Sequence, residues 1–184
     1  MSRALVVIDI QKDYFPGGRM ELVGTEAASR RARELLEAFR ESGEPLFHVR
    51  HEFEGPDAPF FAPGTEGAEI HPNVAPIEGE PVIVKHFANA FKDTSLLDDL
   101  RGLGVSDVVL CGMMTSMCVD ASARAADDLG FTTLLAADAC AAPDLRSGDE
   151  VIPGATVHKA FVSALGSMVA EVHDASELAG SAKR

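Results

Sequence analysis

Positive charge is scarce in this chain. It holds 16 Lys and Arg against 29 Asp and Glu, a formal net charge of −13. Nucleic acid and anionic membrane both select basic surfaces, so neither is expected as a partner. Long apolar runs are missing as well. None approaches the roughly 20 residues of a membrane-spanning helix. The N-terminal run Ala4–Ile8 is too short for a secretory signal and ends on Asp9. Cysteine is sparse: Cys111, Cys118 and Cys140 form neither a CxxC pair nor an even framework. That pattern fits a reduced, cytoplasmic setting. There is no Walker A pattern. The GxG-like segment Gly102-Leu103-Gly104 closes a helix before a strand, the reverse of the order a dinucleotide loop needs. No nucleotide cofactor is therefore expected.

What is present is an alternation of strands and helices. The 184 residues suit one domain, residues 1–184, with a full core. Ala4–Ile8 is a continuous apolar run, the mark of a central parallel strand. Ala28, Ala32, Leu35, Leu36 and Phe39 share one helical face, and Gly43 marks its stop. Further strands are expected at Leu46–Val49, Val82–Val84, Asp107–Cys111, Phe131–Ala136 and Met168–Val172. Leu96, Leu97, Leu100 and Leu103 predict a helix, and another is centred on His158–Leu165. Residues 52–80 read as a long Gly-, Pro- and acid-rich loop, and Pro143–Gly154 as a polar loop. This order predicts a three-layer α/β/α domain around a mostly parallel, Rossmann-like sheet of about six strands.

Chemistry concentrates at strand ends. Cys118 follows the strand ending at Cys111 and opens a stretch with helical spacing. A thiol at a helix N-terminus is favoured as thiolate by the dipole. Alone, a cysteine is more often a buried structural residue. Asp9 and Lys85, however, also stand at ends of parallel strands, and those ends share one sheet edge, where α/β folds bind ligands. Cys118 suits a nucleophile, Asp9 a partly desolvated acid and base, and Lys85 a cation that orients Asp9 and lowers the thiol pKa. Cys111 and Cys140, by contrast, read as buried thiols, and Phe39 and Phe161 as core.

The segments around these residues resemble a known family. Val7-Ile8-Asp9-Ile10-Gln11-Lys12-Asp13-Tyr14-Phe15, Val84-Lys85-His86 with Ala90-Phe91, Gly112-Met113-Met114-Thr115-Ser116-Met117-Cys118-Val119 and Ala136-Ala137-Asp138-Ala139-Cys140 occur in the right order. Together they are similar to the isochorismatase-like cysteine hydrolases, which include nicotinamidases and N-carbamoyl amidases. The resemblance implies a catalytic triad of Asp9, Lys85 and Cys118. It implies a cis peptide at Met113–Met114, and an oxyanion hole from the backbone N–H groups of Met114 and Cys118. Gln11 is expected to hydrogen-bond near Asp9 and to bind substrate together with Phe15 and Phe91, which would wall an apolar pocket. Family members are commonly dimers or tetramers, so a homo-oligomer is expected.

One departure bears on metal. Nicotinamidases carry an Asp-x-His pair after the second strand. Here that region reads Phe47-His48-Val49-Arg50-His51-Glu52, and strand alternation sends His48 and His51 to opposite faces. No metal site and no cofactor are expected. Arg50 and His51 are left either at the site mouth or on the surface. The leading expectation is a metal-independent cysteine hydrolase that cleaves a small amide or carbamoyl C–N bond through a thioester. Isochorismatase-type vinyl-ether hydrolysis, nicotinamidase activity, and an idle binding or scaffold protein are the alternatives.

Overall fold

The computed structural model describes residues 2–55 and 57–182. Its centre is a six-stranded sheet built from β1 (Arg3–Ile8), β2 (Leu46–His51), β3 (Val82–Lys85), β4 (Asp107–Met113), β5 (Thr132–Ala141) and β8 (Glu171–His173). The strand order is β3-β2-β1-β4-β5-β8, and every pairing is parallel. A small antiparallel hairpin, β6 (Leu145–Ser147) and β7 (Glu150–Ile152), stands apart. Five helices complete the fold: α1 (Thr25–Ser42), α2 (Leu96–Gly102), α3 (Asp120–Asp128), α4 (Gly154–Met168) and α5 (Ala175–Ala182).

Both faces of the sheet are covered, and β1 shows why. Its alternate side chains enter two different cores. Leu5 and Val7 pack with Ala28, Ala32, Leu35, Leu36 and Phe39 of α1 and with Leu178 of α5. Ala4, Val6 and Ile8 pack instead with Leu96 and Leu100 of α2, Ala123 and Ala126 of α3, and Leu165 of α4. A strand buried on both sides has no polar face, hence the unbroken apolar run. At Gly43, φ is +73° and the N–H bonds back to Phe39 and Arg40, the left-handed stop expected for α1.

The chain winds outward from β1 to β2 and β3, then returns to β4 on the other side of β1. The crevice between β1 and β4 is thus the topological switch point. Gly112 is required there. Its φ is +132°, and a Cβ would collide with the Ile8 carbonyl. Beyond it the β4–β5 register slips between Leu110 and Gly112, so β5 runs on to Ala141, past the expected end at Ala136.

Two other boundaries differ from expectation. The sixth strand is Glu171–His173 rather than Met168–Val172, because α4 continues through Gly166 to Met168. The polar loop after Pro143 contains the β6–β7 hairpin. The long 52–80 segment is folded: it holds 3₁₀ turns at Glu66–Ala68 and Pro72–Val74 and buries Phe61, Ala68 and Val74 in the α1-side core.

Candidate active site

The strand ends converge. Asp9 follows β1 directly, with φ +50° and its N–H bonded to Val49 O at 2.9 Å. Lys85 ends β3, and Cys118 lies in a single π-helical turn, Thr115–Val119, between β4 and α3. The thiol therefore sits in an irregular turn ahead of the regular helix. The Met113–Met114 peptide that leads into this turn is cis.

Lys85 is the hub. Its Nζ lies 2.6 Å from Asp9 Oδ2, 3.0 Å from His51 Nδ1, 3.1 Å from Phe87 O and 3.3 Å from Cys118 Sγ. The Lys85 and Asp9 side chains are both fully buried. The Lys85 ion pair reaches Asp9 Oδ2, but neither carboxylate oxygen makes a hydrogen bond of good geometry. The Cys118 thiol lies within 4.8 Å of the carboxylate.

Electrostatics correct one expectation. Burial pushes the Cys118 thiol up, the Asp9 charge pushes it further, and the opposing pull of Lys85 is the smaller effect. Burial and the Asp9 charge thus favour the thiol over the thiolate. Burial also raises the Asp9 carboxyl, although Lys85 draws it down. Burial works against the charge on Lys85, but Asp9 and Cys118 around it hold the ammonium protonated. One carboxylate and one ammonium then leave the cluster neutral, the form a dry site favours.

Asp9, His51 and Cys118 offer donor atoms within 4.8 Å of one another, a spacing compatible with a metal ion. Lys85 Nζ already contacts all three residues. A bound cation would have to displace that ammonium, so the donor set does not fit the metal of the nicotinamidase branch.

The remaining candidates divide. Gln11 is a clamp. Its Nε2 donates to His51 O and Ala68 O, both at 2.9 Å, and its Oε1 accepts from His51 N at 2.7 Å. Its link to Asp9 is its backbone N–H on Asp9 O. Its amide is thus committed to backbone, which corrects its assignment to substrate. Phe15 stacks on His71 at 3.7 Å within the α1-side core. Phe91 stacks on Phe131 at 6.2 Å in the opposite core, next to the N-terminal start of β5. Arg50 pairs with Glu52 at 2.7 Å.

His51 belongs to the cluster, and it was left undecided by the sequence. Its signal was register: it lies opposite Lys85 at the end of β2. The walls around it come from the long loop and the first motif. Phe53 lies 4.2 Å from the His51 ring, Phe60 and Phe61 are each 4.9 Å from a neighbouring ring, and Tyr14 meets Phe61 at 4.6 Å. Asp13 fixes this arrangement by accepting from Phe61 N at 2.7 Å.

Comparison with known proteins gives a consistent relationship. The Isochorismatase domain model matches residues 3–176. The isochorismatase family protein YddQ of Bacillus subtilis is 48% identical over 94% of this chain and 96% of its own. The maleamate amidohydrolase of Pseudomonas putida is 36% identical over 72% of this chain and 68% of its own. A structure from Oleispira antarctica assigned to the isochorismatase hydrolases superposes with a TM-score of 0.93 at 48% identity, covering 97% of this chain and 96% of that one. With sequence, domain model and fold in agreement, the chain belongs to the isochorismatase family and is a hydrolase.

Proposed function

We propose that this protein is a metal-independent cysteine hydrolase that cleaves a small amide or carbamoyl C–N bond, with Asp9, Lys85 and Cys118 as its catalytic triad. The observation that carries this reading is the buried Asp9–Lys85–Cys118 cluster at the switch point. Relatives named for hydrolysis support it, the maleamate amidohydrolase and the streptothricin hydrolase of Streptomyces noursei, the latter 32% identical over 91% of this chain.

The chemistry conserves charge inside the site. As Cys118 Sγ attacks the carbonyl carbon, its proton passes to Asp9. The high thiol pKa is no obstacle, because the proton moves within the cluster and no second anion forms. Lys85 keeps its charge and stabilises the developing thiolate. Backbone N–H groups of Met114 and Cys118 receive the oxyanion. The C–N bond then breaks, and Asp9 gives its proton to the leaving amine. Asp9 next takes a proton from water, whose oxygen attacks the thioester. The C–S bond breaks, the acid leaves, and Asp9 returns the proton to sulfur.

Vinyl-ether hydrolysis would share the raised Asp9 acid but has no use for the thiol. An ammonia-release screen over small amides, ureas and carbamoyl compounds tests the proposal, with Cys118→Ala as control. Loss of about three decades of turnover in that variant is expected for removing a nucleophile. Near-normal turnover by Cys118→Ala, or pyruvate release from isochorismate without amide cleavage, would overturn it. A small-molecule substrate, a cytoplasmic setting and a homo-oligomeric state complete the proposal.

A further inference from the structure

His51 is a buried polar side chain that the proposed chemistry leaves unused. Its Nδ1 lies 3.0 Å from Lys85 Nζ. An ammonium only donates, so Nδ1 accepts and the ring proton sits on Nε2. A second ring proton is opposed by burial and by the Lys85 charge, which bring the pKa down to about 4. Nε2 is buried and has no hydrogen-bond partner among the described residues. The Phe87 carbonyl, which accepts from Lys85 Nζ at 3.1 Å, comes near enough to the ring to favour its protonation weakly, but without a hydrogen bond of good geometry to Nε2.

The ring is also fixed in place. Gln11 clamps the backbone N–H and carbonyl of His51. Phe53 packs at 4.2 Å and Phe61 at 6.4 Å between ring centroids. Buried donors rarely stay unpaired in native proteins without a use. The ring that carries this one has a nitrogen within 4.8 Å of Cys118 Sγ and is preorganised.

We propose that His51 Nε2–H is a specificity donor that holds an acceptor atom, a carbonyl oxygen or ring nitrogen, on a flat, uncharged substrate beyond the carbon that Cys118 attacks. The assignment rests on Cys118 being the nucleophile. The substrate is uncharged because Asp9 already matches Lys85 and the His51 ring is neutral, so an anionic group here would meet no free countercharge. It is flat because the surrounding wall is aromatic.

The test uses two alkylating probes, with the Cys118 peptide followed by mass spectrometry. Iodoacetamide carries a carbonyl one bond beyond the attacked carbon, and iodoethane carries none. His51→Asn keeps an acceptor for Lys85 but removes the distal donor, whereas His51→Gln places an amide where Nε2 was. We expect His51→Asn to slow iodoacetamide about tenfold, the scale of one hydrogen bond, and to leave iodoethane nearly unchanged. His51→Gln should restore most of the difference. Equal slowing of both probes would reduce His51 to a support for Lys85 and overturn the proposal, as would no slowing of either. Absence of Cys118 labelling in the parent protein would instead sink the nucleophile assignment. Should either variant fail to fold, nitrogen NMR of the parent protein decides: an Nε2–H tautomer near neutral pH is required, and an Nδ1–H tautomer refutes the donor role.

Discussion

A thiol, a carboxylate and an ammonium share one buried pocket, and their protonation order sets the pH behaviour. On the proposed mechanism, Asp9 must be ionised to receive the thiol proton. Its folded pKa is raised above 3.8, the ordinary value for an aspartate, chiefly by burial. The acidic limb of kcat/KM should therefore fall at a pH above that value, and a limb at or below it would contradict the assignment. Lys85→Met removes the charge that draws the Asp9 carboxyl down. The acidic limb should then move further up, and kcat/KM should fall at least about 10²-fold, as for loss of one electrostatic stabiliser. An unchanged pH profile in Lys85→Met would separate Lys85 from Asp9. At this scale the sequence was most legible where a residue ends an apolar strand, as Asp9 and Lys85 do. His51 was harder to read. Its place depends on Gln11 holding its backbone and on Phe53 and Phe61 packing around it, and long-range packing leaves no local pattern.

Elements are tied together by charges far from the site. Glu80, at the end of the long loop, joins α1 through Arg40 at 2.7 Å and β2 through His48 at 2.8 Å. Burial pushes the Glu80 carboxyl up, but Arg40, the Ile77 N–H and His48 outweigh it and bring the pKa down to about 2. A depressed carboxylate stabilises the fold above its unfolded pKa, here near 4.5, and that share is lost as pH falls toward about 2. Arg40 stays partly open to water, so screening trims the effect to on the order of 1–2 kcal/mol. Denaturant midpoints at pH 7 and pH 3 check this. Glu80→Gln should be less stable at pH 7 and should lose less on acidification than the parent. Gly112→Ala is a second case: the new Cβ would force β4 away from the Ile8 carbonyl at the switch point. A destabilisation of about 1–3 kcal/mol is expected from the strained φ alone, visible as a lower Tm and accompanied by loss of activity. The same scale shows which elements could be read. β1 carried an unbroken apolar run, and α1 a clear periodicity and a glycine stop. The β6–β7 hairpin did not, because Leu145–Ile152 includes Arg146, Asp149 and Glu150 and is largely exposed. α4 overran its expected length because Gly166 lies inside it rather than at its end.

The whole molecule is acidic, yet one of its helices is not. α4 carries a single Lys, Lys159, and no acid in 15 residues. Its outward positions include Ala155, Ala160, Ala164 and Met168, the last 88% exposed. No helix among the described residues is long and apolar enough to cross a membrane, so this face is not the surface of a spanning segment. Small side chains let two helices approach closely, and on a surface of net charge −13 this strip is where two copies of the proposed homo-oligomer would meet with least repulsion. Association through α4 should thus give a particle mass that is a multiple of 19.5 kDa by light scattering. Because the surrounding surfaces repel, added salt should tighten the assembly by screening that repulsion. Ala160→Glu and Ala164→Glu place a charge in the strip and should release the monomer, with α4 itself intact because Glu is a good helix former. The prediction fails if the parent chain runs as a 19.5 kDa monomer at all salt concentrations, or if the charged variants leave the mass unchanged. Residues 115–119, which hold Cys118, bond to α4 through Thr115 Oγ1 and His158 Nδ1 at 2.9 Å. If the assembly forms on α4, the monomeric variants should therefore also lose part of their turnover, which ties the quaternary state to the position of the thiol.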